Sequence, residues 1–205
     1  EIIGLVDFAV TEQDLKEIHP SLAHHIPQAI EILRPILIDV TGQGGIRIYH
    51  ESFRRYIKNR LNQKNIPFSN ILTPVIHWLR NRGFFNDAKS YRFLLSLLRR
   101  AGRDSEILIL VNSSFVSDSV VAGHSRFAIK ANLILATEVA TQKLDWASLA
   151  LIAELSSSVY TCFEEKLLSL DIVRFGRTFA TVFGAEAQSN RLLFDGKPTL
   201  SAEQG

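Results

Sequence analysis

The sequence predicts a mainly α-helical protein, in which one short β-hairpin is followed by an α-helical repeat (solenoid-like) array. Apolar residues recur at helical spacing through most of the chain. At a single place, the β-branched runs 35–40 and 46–48 flank a glycine-rich link, which is the pattern of a hairpin. Three glycines, Gly83, Gly102 and Gly123, then follow at intervals of 19 and 21 residues, each near a predicted helix end.

The composition is that of an ordinary soluble globular protein. The chain has 205 residues, of which 46% are hydrophobic and 21% are charged. No apolar run approaches the roughly 18 residues of a membrane helix, and no signal-peptide pattern opens the sequence. Cys162 is the only cysteine, so no intramolecular disulfide can form. These properties favour a cytoplasmic location without a membrane partner. Because the chain starts at Glu1 and contains no methionine, we expect it to be a fragment of a longer protein.

The first 66 residues predict a winged-helix-like domain. Thr11 is a good helix N-cap, and Asp14 three residues later resembles a capping box. A second helix is predicted from about residue 21, and Pro35 ends it. Residues 1–10 are expected to be the end of an earlier helix, and the hairpin and a helix from 51 to about 62 complete the order helix, helix, helix, hairpin and helix. The glycine-rich turn would then be the tip of the wing.

Residues 67–194 predict an α-helical repeat region, and no strand is expected there. A helix about every 20 residues gives helix pairs of about 40 residues, which is the size of α-solenoid repeats. A closed helical bundle is the alternative. Residues 195–205 form a polar tail. The predicted helices lie at about 69–82, 87–101, 104–112, 115–122, 125–142, 146–165 and 168–183.

Charge is unevenly distributed along the chain. Residues 1–105 hold 15 Lys/Arg and 10 Asp/Glu, whereas residues 106–205 hold 8 and 11. A basic surface is compatible with nucleic acid, but solvated helix faces and contacts to an acidic partner domain are at least as common, so we do not expect nucleic acid as a partner. The basic residues form two clusters: Arg47, Arg54, Arg55, Lys58, Arg60 and Lys64; and Arg80, Arg82, Lys89, Arg92, Arg99, Arg100 and Arg103.

The glycine-rich link is not a phosphate-binding P-loop. A P-loop requires GxxxxGK[ST] between a strand and a helix. Residues 41–45 lack the lysine and the following hydroxyl, and they join two predicted strands. No acidic strand end that would serve as Walker B and no catalytic carboxylate pair is evident, so we predict that this chain is not itself an enzyme. The histidines show no metal-ligand spacing, and we predict no metal site.

The hairpin segment resembles a known family. The pattern Leu-Arg-Pro-Ile-Leu, a glycine turn, and then Ile-Tyr-His-Glu-Ser-Phe-Arg-Arg-Tyr-Ile over 48–57 is similar to the winged-helix segment of STAND-class signalling ATPases, particularly NACHT-type proteins. Residues 10–15 resemble the start of the same module, and residues 91–103 resemble the helical region that follows it. The resemblance covers residues 1 to about 112.

The resemblance implies a role for His50. In the family, the matching histidine approaches the β-phosphate of ADP and helps to hold the inactive state. Ser52 and Arg54 are candidate supporting residues. The alternative is a junction histidine that only caps or packs against Glu51 or Ser52. Ser52 is also a candidate helix cap, and Arg54 and Arg55 are expected to face solvent or the ATPase domain that the resemblance implies. We expect Phe53, Tyr56, Trp78 and Trp146 to lie in the core.

The resemblance also implies a function. This chain would be the regulatory, sensor-proximal part of an ATP-dependent signalling switch in innate immune or antiviral defence. ADP or ATP with Mg²⁺ would be bound mainly by an ATPase domain of the same parent chain, which would be an NTPase. A protein ligand would bind the helical repeats, and activation would produce a homo-oligomer. The alternatives are a winged-helix DNA-binding regulator with a helical oligomerisation domain and a helical-repeat interaction scaffold.

Overall fold

The structure is a computed structural model, and it describes residues 1–40, 44–164, 181, 193–194 and 197–198. The described residues are mainly α-helical, and they include the predicted short antiparallel hairpin after residue 36. The helices are α1 (Ile2–Leu5), α2 (Glu12–Ile18), α3 (Ile26–Leu33), α4 (Glu51–Gln63), α5 (Phe68–Asn81), α6 (Ala88–Arg100), α7 (Asp104–Leu110), α8 (Phe115–Val121), α9 (Arg126–Lys143) and α10 (Trp146–Glu164).

The hairpin consists of β1 (Leu37–Val40) and β2 (Gly45–Ile48) in antiparallel register, with Leu37 opposite Ile48 and Val40 opposite Gly45. Val10 adds an isolated antiparallel bridge on the other edge of β2. Its amide donates to the carbonyl of Ile46 at 3.0 Å, and the Ile46 amide donates back at 2.8 Å. The segment between α1 and α2 is therefore fixed to the hairpin.

The chain is divided into two compact units. The first contains residues 1–84 and 96–103, and the second contains residues 85–95 and 104–205. In the first unit, α1 packs against α4, α5 and β2, while α2 packs against α3 and α5. Its core is aliphatic, and its most buried members include Leu5, Val10, Leu72, Val75, Ile76 and Leu79.

In the second unit, α9 packs along α10 and against α7, and α10 also contacts α8. The core of this unit contains Leu94, Ile107, Phe115, Ile129, Ala136 and Val159, all of which are fully buried. Burial of an aliphatic side chain of this size contributes about 1.5–3 kcal/mol. No helix in the described part of the chain is both long enough and apolar enough to cross a membrane.

Several local predictions are confirmed. Thr11 caps α2 with a full capping box, because its hydroxyl accepts from the Asp14 amide and the Asp14 carboxylate accepts from the Thr11 amide. Gly83, Gly102 and Gly123 all adopt positive φ just beyond helix ends. The predicted helix at 168–183 lies almost entirely outside the described residues, as does most of the predicted tail.

Two expectations about secondary structure are wrong. The region expected to form the first part of a helix from residue 21 contains a short 3-10 turn over Pro20–Leu22, and α3 begins only at Ile26. Strands also occur beyond residue 67, because Leu193–Phe194 pairs with Lys197–Pro198. The intervening Asp-Gly dipeptide is a strong hairpin signal that the search for helical spacing overlooked.

Candidate functional site

His50 lies at the junction between the hairpin and the following helix. Strand β2 ends at Ile48, α4 begins at Glu51, and His50 is the N-cap residue with φ −101° and ψ 126°. Its imidazole is exposed and makes no capping hydrogen bond. The ring meets the Tyr49 ring edge-on, with centroids 4.5 Å apart. The imidazole can therefore donate or accept a hydrogen bond toward a group outside the described residues.

The surrounding packing holds this junction in place. Ile48 and Leu61 are buried, and Ile57 lies close to Gly4, where α4 crosses α1. Glu51 is in the first turn of α4, where a negative charge is favourable. Thus the backbone at His50 is positioned by a buried strand on one side and an anchored helix on the other.

Ser52 is exposed in the first turn of α4. The interpretation of Ser52 as the helix cap is wrong, because His50 occupies the N-cap position and no side chain caps this helix. Ser52 is two residues too late in the chain to accept from the first free amides. Its hydroxyl remains a candidate ligand beside His50.

Arg54 is bound within the first unit. Its Nη2 donates to the Val6 carbonyl at 2.6 Å and to the Asp7 carboxylate, and its Nε is 3.4 Å from the Gly4 carbonyl. Arg100 donates to the other oxygen of Asp7 at 2.9 Å. The expectation that Arg54 faces solvent or another domain is therefore wrong. Its guanidinium donates to backbone carbonyls at the end of α1, where no further helical turn supplies amide donors.

A cavity of about 190 Å³ lies next to this junction. Arg47, Tyr49, Glu51 and Arg54 contribute polar groups to its wall, and His50 is not among its lining residues. A second cavity, of about 350 Å³, is lined by the start of α2, by Ile30 of α3 and by the hairpin. The Arg34–Asp39 pair, with two hydrogen bonds of 3.0 and 2.7 Å, lines this second cavity. The His50 side chain is therefore on the open surface and is not part of the wall of either cavity.

The expected core positions of the aromatic residues are only partly observed. Trp78 is buried, and its indole donates to Glu17 at 2.9 Å, but Trp146 is 74% exposed at the start of α10. Phe53 is half-buried, whereas Tyr56 is 55% exposed. The predictions for Tyr56 and Trp146 are wrong, because both residues lie on the outward side of their helices.

The second unit contains a buried polar and aromatic cluster that the sequence analysis missed. The Tyr91 hydroxyl donates to Ser119 at 2.7 Å, and the Ser119 hydroxyl donates to the Phe115 carbonyl at 2.6 Å. His124 stacks on Tyr91, and its Nε2 lies 2.6 Å from the Phe85 carbonyl. Burial raises the pKa of Tyr91 to about 12 and lowers the pKa of His124. No spacing in the sequence signals this cluster, because its members come from separate segments, and Phe85 and His124 are 39 residues apart.

Among the described residues, no group of three or more histidine, cysteine, aspartate or glutamate side chains is arranged to hold a metal ion. The adjacent His24 and His25 rings lie 5.4 Å apart at a tilt of 54°.

Comparison of the chain with protein-family models, with curated proteins and with solved structures gives no match.

Proposed function

We propose that this chain is the regulatory, sensor-proximal part of a STAND (NACHT-type) ATP-dependent signalling switch in innate immune or antiviral defence. Residues 1–66 would act as the winged helix that holds the ADP-bound inactive state. Residues 67–194 would be a helical-repeat platform for a protein ligand. Hydrolysis of ATP with Mg²⁺ would belong to an ATPase domain of the same parent chain, and exchange of ADP for ATP would lead to a homo-oligomer.

The observation that carries this proposal is the state of His50. Its imidazole is exposed, forms no hydrogen bond within the described part of the chain, and stands at the N-terminus of a 13-residue helix. A helix N-terminus favours anions, and an imidazole can donate to a phosphate oxygen. The alternative, in which His50 caps or packs against Glu51 or Ser52, finds no support in the hydrogen bonds of this junction.

The backbone around His50 suits a switch element. The hairpin and α4 are joined by only Tyr49 and His50, so a movement of the module carries the imidazole with it. A ligand shifts such an equilibrium only by its difference in affinity for the two states. One hydrogen bond to a charged group, worth about 1.5–3 kcal/mol, would favour the ADP-bound state by about tenfold or more.

Nucleotide retention in the parent protein tests this proposal. The protein is purified with its bound nucleotide, which is released by acid and quantified by ion-exchange chromatography. We expect His50→Ala to reduce ADP retention about tenfold and to raise basal signalling. His77→Ala is the matched control, because His77 is also an exposed histidine in the same unit. Equal ADP content in the His50 and His77 variants would remove the sensor role.

A further inference from the structure

The segment from residue 40 to residue 86 is strongly basic. It contains eight lysines and arginines, and Glu51 is its only acidic residue. Five of these basic residues are on β2, α4 or the C-cap of α4 and have no acidic partner in the described residues: Arg47, Arg55, Lys58, Arg60 and Lys64. Glu51 lies 3.9 Å from Arg54, which already binds Asp7. The positive charge of those five residues is therefore not neutralised by an acidic side chain in the described part of the chain.

Helix α4 concentrates part of this charge on one side. Arg54, Ile57 and Leu61 recur at spacings of three and four residues and point toward α1 or the core. The opposite side, which we call the outer face of α4, carries six exposed residues and no acidic or aliphatic side chain. They are Ser52, Arg55, Tyr56, Asn59, Arg60 and Gln63.

The outer face of α4 also carries the aromatic ring of Tyr56. Tyr56 is 55% exposed, and its ring lies 5.7 Å from that of the half-buried Phe53, one turn earlier. Tyr49, at the end of the hairpin, is 63% exposed. Both tyrosines thus present ring surface to solvent, and Tyr56 shares the outer face of α4 with Arg55 and Arg60.

From this arrangement we infer that the outer face of α4 binds single-stranded nucleic acid. Unpaired arginines attract phosphates, exposed rings stack on unpaired bases, and the amides of Asn59 and Gln63 can bond base edges or sugars. An acidic protein would use the charge but would not need the exposed rings. The bases of a duplex are stacked on one another and could not stack on the exposed tyrosine rings. This inference does not require the proposed role of His50, because its test changes Arg55, Tyr56 and Arg60 and leaves His50 in place.

Fluorescence anisotropy with the complete chain tests the inference. The probe is a fluorescein-labelled oligo(dT) of about 20 nucleotides, which spans more than one binding site of ordinary size, at about 50 mM salt. We expect Arg55→Ala with Arg60→Ala to weaken binding at least tenfold. The pair should also reduce the slope of log K against log salt by about 1.4, since two phosphate contacts are lost. Lys130→Ala with Lys143→Ala, in the second unit, is the charge-matched control and should leave both quantities unchanged.

The aromatic contribution has its own pair of variants. Tyr56→Ala should weaken binding about tenfold, whereas Tyr56→Phe, which keeps the ring, should stay within about twofold of the wild type. Circular dichroism and thermal unfolding show whether each variant is folded. Absence of binding by the folded wild type would overturn the inference. It would equally be overturned if polyglutamate displaced the probe at the same charge concentration as unlabelled oligo(dT) while Tyr56→Ala bound normally, because the face would then recognise acidic polymers in general.

Discussion

The imidazole of His124 lies flat on the phenol ring of Tyr91, with ring centroids 3.5 Å apart and ring planes 9° apart. Each side chain also makes a hydrogen bond: His124 Nε2 bonds with the Phe85 carbonyl, and the Tyr91 hydroxyl donates to Ser119. Asn132, itself buried, donates to the backbone carbonyl of Tyr91 at 3.0 Å. Burial lowers the pKa of His124 and raises that of Tyr91, and so favours the neutral form of both groups.

The stability of the protein should depend on pH through His124. Burial lowers its pKa in the folded state below the ordinary value of 6.5. The unfolded chain therefore binds a proton more readily, and stability is lost as the pH falls through 6.5 toward the folded pKa. Urea unfolding of the wild type and of His124→Phe, compared at several pH values, should show a smaller acid-induced loss in the variant. Parallel pH profiles would contradict the burial of a neutral imidazole.

Tyr91 should respond at the alkaline end. Its pKa of about 12 in the folded protein lies above the ordinary value of 10. The contribution of the protonated phenol to the free energy of unfolding is therefore complete below pH 10 and is lost as the pH rises toward 12. In an absorbance titration of phenolate formation, Tyr91 should therefore ionise late. Tyr91→Phe should remove that late step and reduce the free energy of unfolding by about 1 kcal/mol, because the hydrogen bond to Ser119 is lost. A late step that persists in this variant would assign it to another tyrosine.

Removal of the Arg54 side chain should destabilise the first unit. The guanidinium bonds the Val6 carbonyl and the Asp7 carboxylate, and bonds that involve a charged group contribute about 1.5–3 kcal/mol. We expect Arg54→Ala to reduce the free energy of unfolding by about 2 kcal/mol. The neighbouring exposed Arg55, changed to Ala, should shift it by less than about 0.5 kcal/mol. Chemical denaturation measures both, and equal values would argue against the contacts to Asp7 and Val6.

Gly45 should not accept a β-branched side chain. A Cβ added there would lie 3.0 Å from the carbonyl carbon and oxygen of Val10, which are backbone atoms fixed by the bridge to Ile46. Gly45→Val should therefore cost about 1–3 kcal/mol through overpacking. At Gly44 the space is open but φ is +60°, so Gly44→Asn, a residue that tolerates this conformation, should cost less. Thermal unfolding of the two variants gives the comparison.

The sequence predicted best where the determining residues are close together in the chain. The Thr11–Asp14 capping box, the end of the second helix near Pro35 and the hairpin are each specified by a few neighbouring residues. Helix positions between residues 68 and 164 also agree closely, because a helix face repeats over many turns.

Prediction failed where a residue depends on a distant part of the chain. Arg54 and Asp7 are 47 residues apart, and Arg100 is a further 46 residues along, so no local pattern pairs them. Helical spacing likewise indicates that Tyr56 and Trp146 are on a regular face, but it does not show which face a neighbour covers. The exposed positions of both rings follow from tertiary packing alone.

Helix α3 has a further consequence. Not one residue from 19 to 40 is buried, although the helix itself contains Ile26, Ile30, Ile32 and Leu33. Little apolar contact would be broken if this segment opened while the rest of the first unit stayed folded. Its amides should therefore exchange with deuterium earlier than those of α5, whose Leu72, Val75, Ile76 and Leu79 are fully buried. We therefore expect Ile26–Leu33 to open at a lower free energy than that of complete unfolding.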